Sequence, residues 1–249
     1  MNQSDKPLLS DVIDPPEIPR NDLAPPPPVP LWRRIAEMAA VLCLGFFPFL
    51  ISALWPGGEE ASDGFLADES YRILYDIQII VPLLYIFWRS DISWAGFGIG
   101  KPEFLADTTL TLILVALAWT TGTILTNMVA PDVVDPDLVD PAADDFLGPS
   151  GGLEYAVLLV SLTTNSIVEE FVIRAYLITR LKSFGLHAGL ALIISAAMFA
   201  SYHVYQGYWT LVPHFYFGLL LGLAFVLTRR IWPLVVAHTI YNVLAYVAV

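Results

Sequence analysis

Charge is what this 249-residue chain has least of: Asp, Glu, Lys and Arg make up 14% of it, against about 25% in an ordinary soluble domain. The shortage is sharpest in basic residues, 12 against 24 acids, and a net charge of −12 leaves no expectation of a nucleic-acid partner. Cysteine occurs once, as Cys43, which excludes an intrachain disulfide and a cysteine-based metal site. Inside an apolar run it reads as a packing residue. The His-Glu-x-x-His helix of many zinc peptidases is missing. So is a small-residue cleavage pattern after the first apolar run, which exits through Leu54-Trp55-Pro56-Gly57 and reads as an uncleaved anchor.

What remains is apolar, 56% of the chain. The few charges fall in short blocks, and the runs between them approach the ~20 residues that cross a hydrocarbon core ~30 Å thick. These runs predict spans at 35–55, 71–88, 107–130, 153–182, 187–206, 211–228 and 231–249. They are too long and continuous for barrel strands, and a backbone in lipid must satisfy its own hydrogen bonds. The expected fold is therefore all-α, a polytopic transmembrane bundle of about seven spans. Residues 1–30, with Pro15, Pro16, Pro19 and the run Pro25 to Pro28, bury too little to fold and are expected to be a disordered cytoplasmic tail.

In a seven-span topology Lys6, Arg20, Arg33, Arg34, Arg89, Lys101, Arg180, Lys182, Arg229 and Arg230 share one side, and Arg72 alone is on the other. The basic side is cytoplasmic by the positive-inside rule, so the amino terminus is expected inside and the carboxyl terminus outside. The acidic blocks, Glu59 to Glu69 and Asp132 to Asp145, read as solvent-exposed loops.

The last hundred residues carry ionisable groups in apolar surroundings, where they are costly and point to function by default. In Glu169-Glu170-Phe171-Val172-Ile173-Arg174 a helix puts Glu170 and Arg174 one turn apart, acid on the amino-terminal side, the favourable order for an ion pair. Glu169 points about a third of a turn away. One acid can then neutralise the guanidinium while the other is left free as a general base or acid. Phe199-Ala200-Ser201-Tyr202-His203 ends the fifth span. His238-Thr239-Ile240-Tyr241-Asn242 lies in the seventh, with His238 and Asn242 on one helix face. Counting the ~1.5 Å rise from the turn near Phe184, Glu169 and His203 reach the same level of an antiparallel pair.

The succession Glu-Glu-x-x-x-Arg, Phe-x-x-x-His and His-x-x-x-Asn, each on its own apolar helix, resembles the intramembrane endopeptidases of the CAAX-protease and bacteriocin-processing group, the Abi or type II CAAX prenyl endopeptidase family. The resemblance covers residues 151–249 as a catalytic four-helix core; spans one to three, residues 31–150, carry no family signal. It implies that Glu169 and His203 activate the attacking water, that His238 and Asn242 stabilise the oxyanion or orient the water, and that Glu170 and Arg174 support the site. It also implies hydrolysis of a peptide bond in a membrane-bound or lipid-modified substrate, with membrane lipid as the other partner. The plasma membrane of a prokaryote is the expected location. A metal-free glutamate mechanism is favoured. The alternative is zinc held by Glu169, His203 and His238, three protein ligands plus water.

Other polar groups have plainer readings. His187 is expected at the cytoplasmic interface, His214 at the outer mouth of span six, and Asp76 near the outer end of span two. Gly218-x-x-x-Gly222 fits close helix packing. Ser161, Thr163, Thr164, Asn165 and Ser166 read as polar glue between helices, with a water path to Glu169 as the alternative. Trp55, Trp88, Trp209 and Trp232 read as interfacial anchors. The competing functional class is a non-enzymatic membrane protein, an immunity partner or a proton-coupled carrier. A carrier is weakened by the absence of matching interrupted helices in two halves, and a relay would string its acids along the membrane normal instead of gathering them.

Overall fold

The computed structural model describes residues 29–54, 64–129 and 148–247. The chain divides into the units Met1–Ala36 and Glu37–Val249. Of the first, Val29 to Ala36 are described and open a helix; all packing below lies within the second. The proline-rich tail, Trp55 and the acidic segment 132–145 lie outside the described residues.

Helix occupies most of the described part of every predicted stretch, and no strand occurs among the described residues. The helices are α1 Leu31–Leu54, α2 Phe65–Arg89, α3 Phe104–Val129, α4 Gly152–Ser183, α5 Ala188–Tyr202, α6 Leu211–Thr228 and α7 Trp232–Val247. Five stretches, namely α2, α3, α4, α5 extended to Gln206, and α6 extended back to Tyr208, are long and apolar enough to cross a membrane; α7 is a shorter apolar helix. Leu74 and Val81 on α2, Leu112 and Ile124 on α3, and Leu227 on α6 point outward. Side chains that water would penalise there suit a lipid-facing surface. The fold is an all-helical, polytopic membrane bundle.

The end of α2 departs from expectation. The helix begins at Phe65, about six residues early, with Asp68 in a first turn whose dipole favours an acid. Glu69, expected in a watery loop, is consequently buried, with Arg72 at 3.8 Å. Asp76, expected near the outer end, is 5% exposed and lies about 11 residues, or ~17 Å, into the helix. Cys43 is exposed rather than packed. Arg180, counted among the cations of the cytoplasmic side, is buried: Glu37 Oε1 accepts from its Nη2 at 2.8 Å and from the Tyr176 hydroxyl at 2.9 Å.

Two close approaches fix the helices that carry the site. Along α5 and α6, a Cβ on Gly218 would stand 2.9 Å from Ala196 Cα, and one on Gly222 would stand 2.5 Å from Leu192 Cδ1. The predicted small-residue packing is thus a backbone-close contact between α5 and α6. At the other end of α6, Arg229 ends the helix in the left-handed region and donates to Gly96 O and Thr179 Oγ1. Ile231 N donates to Gly98 O at 3.1 Å and Trp232 Nε1 to Gly100 O at 2.9 Å. Gly98, at φ 80°, could take no side chain here, since a Cβ would stand 2.4 Å from Phe225 Cε2. This clasp sets where α7 begins. Trp232, expected as an interfacial anchor, is one of its parts.

Within α4, Phe171–Ile178 is π-helical and every one of its eight residues is buried. Such wide turns are rare and cluster at functional sites. The Ser195 hydroxyl of α5 donates to Ile173 O at 3.1 Å, tying the widened segment to its neighbour.

Candidate active site

The two glutamates are the last residues before the π-helical turns of α4. Glu170 is fully buried, and its Oε1 accepts from Arg174 Nη1 at 2.9 Å and from His238 Nδ1 at 2.8 Å. The predicted ion pair is present, and the Arg174 guanidinium also lies over the Phe199 ring, 4.4 Å from its centre. Glu169 is 8% exposed. Its Oε1 accepts from Asn165 Nδ2 at 3.2 Å, its Oε2 lies 3.4 Å from His238 Nε2, and the Tyr202 hydroxyl faces its carboxylate.

His238 is therefore the imidazole that stands against both acids. Its Nδ1–H donates to Glu170, which fixes the ring and turns Nε2 toward Glu169. Phe217 and Phe199 hold the ring by its faces and edges, at 4.9 and 5.9 Å between centres. Asn242, one turn along α7, donates to Ser166 Oγ at 3.4 Å, and Ser166 donates on to Leu162 O at 2.8 Å. The expected pairing of His238 with Asn242 on one face is kept, but both face α4.

His203 occupies the C-cap of α5, at the start of the short 3-10 turn His203–Gln206. Its Nδ1 lies 2.8 Å from Phe199 O; because a carbonyl only accepts, Nδ1 carries a hydrogen and donates it there. Its ring stacks on His214 at 4.0 Å and 20°, and His214 repeats the posture with Nδ1 on Thr210 O at 2.8 Å. The sequence reading put His214 at the outer mouth of span six, apart from the site; it is instead packed on a site residue, because the 3-10 turns at Tyr208–Thr210 bring the two helix ends together. His187, by contrast, is exposed and caps α5 by accepting from Leu190 N at 3.2 Å, as an interfacial residue would.

A narrow cavity of ≈10 Å³ lies beside Glu169, lined also by Gly45, Tyr75, Asp76, Asn165 and Tyr202. That is room for about one water. Of the residues singled out from the sequence as catalytic, Glu169 alone lines it, so this acid stands between His238 on one side and a water-sized space on the other. Among the described residues no three His, Cys, Asp or Glu side chains gather as a metal-ligand group. His203 and His238 are each held through Nδ1, by Phe199 O and by Glu170 Oε1, the way metal-bound and metal-free catalytic histidines alike are oriented by a second partner.

Sequence reading missed three contributors. Tyr202 precedes His203, and Asp76 is the deepest along α2 of its three acids; depth was the signal for the latter, obscured by the misplaced start of α2. The polar run before the glutamates is more than glue: Asn165 holds Glu169, Thr164 holds Asp76 at 2.9 Å, and Ser166 holds Asn242.

Glu169, Glu170, Arg174 and His238 thus meet as one buried polar cluster inside a polytopic helical bundle. Residues 151–244 match the family described as Type II CAAX prenyl endopeptidase Rce1-like, so the carboxyl-terminal part of the chain is a domain of that family. That match supports an intramembrane endopeptidase of the general CAAX type. No curated protein and no solved structure matches the chain.

Proposed function

We propose that the chain hydrolyses a peptide bond of a membrane-bound or lipid-modified substrate by a glutamate mechanism without a metal, in the plasma membrane of a prokaryote. The observation that carries this reading is the placement of Glu169 between the water-sized cavity and His238 Nε2. Water in the cavity gives one proton to Glu169 as its oxygen attacks the peptide carbonyl. His238, oriented by Glu170 as a metal-bound or catalytic histidine is oriented by its second partner, exchanges that proton with Glu169 and supports its delivery to the leaving amine. His203 assists Glu169 through its Nε2, and the Asn242 amide donates to the developing oxyanion, a contribution of ~3–4 kcal/mol for one well-aimed donor. Glu170 and Arg174 hold the frame.

Membrane proteins of cells carrying the native chain are compared with those of cells carrying Glu169→Ala. An uncut precursor that accumulates only with the variant supports the reading; identical patterns would overturn it. In native membranes, chelation is expected to leave the cleavage intact. Loss on chelation with recovery on added zinc would replace the metal-free mechanism by the zinc one.

A further inference from the structure

Asp76 belongs to none of the three motifs, yet it is among the most deeply placed acids of the bundle. It is 5% exposed and lines the same cavity as Glu169. Its Oδ2 accepts from Thr164 Oγ1 at 2.9 Å, so the carboxylate is fixed from α4 while it projects from α2. An acid in this position is costly, and Thr164 does not need it, because the same hydroxyl also reaches Ser161 O at 3.0 Å. A helix-pairing contact alone would not call for a carboxylate turned to the wall of a cavity the size of one water.

We propose that Asp76 is a second acid of the hydrolytic site, which together with Glu169 holds the water that attacks the peptide bond. This rests on the function proposed above. The water presents two hydrogens: Glu169 removes one, and Asp76 accepts a hydrogen bond from the other and keeps its own protonation state throughout. Two acceptors on one water leave the oxygen lone pair aimed in a single direction, which is the orientation an attack on the carbonyl carbon requires. The proton taken by Glu169 leaves with the amine, so the cycle closes without change at Asp76. The groups around it are Glu69, Arg72 and Tyr75 on its own helix, Thr164, Asn165 and Glu169 on α4, and Tyr202 on α5.

The test follows, in isolated membranes, the rate at which the precursor that accumulates with Glu169→Ala is cut. Asp76→Ala is expected to be made in normal amount, since it removes a buried acid and leaves Thr164 its second acceptor. It should cut about 100-fold more slowly, the scale of a misplaced reacting group, and added formate should restore part of the rate by returning a carboxylate to the cavity. Thr164→Val, which frees the Asp76 side chain, should lower the rate by less. A native rate in Asp76→Ala, or a slow rate that formate leaves unchanged while formate-free controls show normal protein, would overturn the role of Asp76 and leave the proposed function standing. If no precursor accumulates with Glu169→Ala, both fall together.

Discussion

Glu169 and Glu170 are neighbours in sequence with opposite surroundings, and that difference sorts the residue-scale outcomes. Glu170 is fully buried and shared between Arg174 and His238; removing it, or Arg174, leaves an uncompensated buried charge at a cost of about 3–5 kcal/mol. Glu170→Ala and Arg174→Ala are therefore expected to lower the amount of folded protein recovered in membranes, measured by immunoblot and by melting in detergent. Native amounts and melting would contradict the structural assignment of the pair. The Glu170–Arg174 contact was legible in the sequence because it is local, set by helical spacing alone. The bond from His238 to Glu170 was not, because it joins residues on different helices and depends on how far α7 is rotated. Asp76 and Tyr202 were named in the sequence, but their place beside Glu169 was not legible for the same reason, since it comes from the cavity they share with it.

At the scale of elements, the helices were legible and their irregularities were not. Apolar run length located all seven, yet nothing in Phe171–Ile178 announces a π-helix; its wide turns are a consequence of packing, with Ser195 of α5 bonded to Ile173 O. Ser195→Ala strands that carbonyl and is expected to cost about 1–3 kcal/mol. The α2–α3 loop makes a sharper case. Gly98→Ala meets both a positive φ and the Phe225 ring near the end of α6, so a loss exceeding ~1 kcal/mol is expected. Both variants are read as a drop in melting temperature of the purified protein in detergent. An unchanged melting temperature in Gly98→Ala would mean that the clasp does not position α7.

For the whole molecule, the account requires a defined orientation as well as a bundle. Basic residues on one side of the span order lead us to propose that the amino terminus and Lys101 are cytoplasmic and the 132–145 segment is outside. In a Cys43→Ser background, a cysteine at Asp137 should react with an impermeant thiol reagent in intact cells, and one at Lys101 should react only after the membrane is opened. The reverse pattern would invert the topology. The order of the three motifs along the chain was enough to suggest the family later matched over residues 151–244, whereas the role of spans one to three emerged only when α2 was seen to supply Asp76 to the cavity wall.

The central claim is that Glu169 activates the water that opens the peptide bond, and the most direct measurement follows oxygen from solvent into product. Membranes holding equal amounts of the native chain or Glu169→Gln are incubated in oxygen-18 water, and the new carboxyl termini of membrane proteins are read by mass spectrometry. The native chain is expected to yield termini carrying solvent oxygen. Glu169→Gln, which keeps the side chain's size and loses the base, should yield them at least ~100-fold more slowly. The same labelled termini appearing at the same rate with Glu169→Gln would contradict the account.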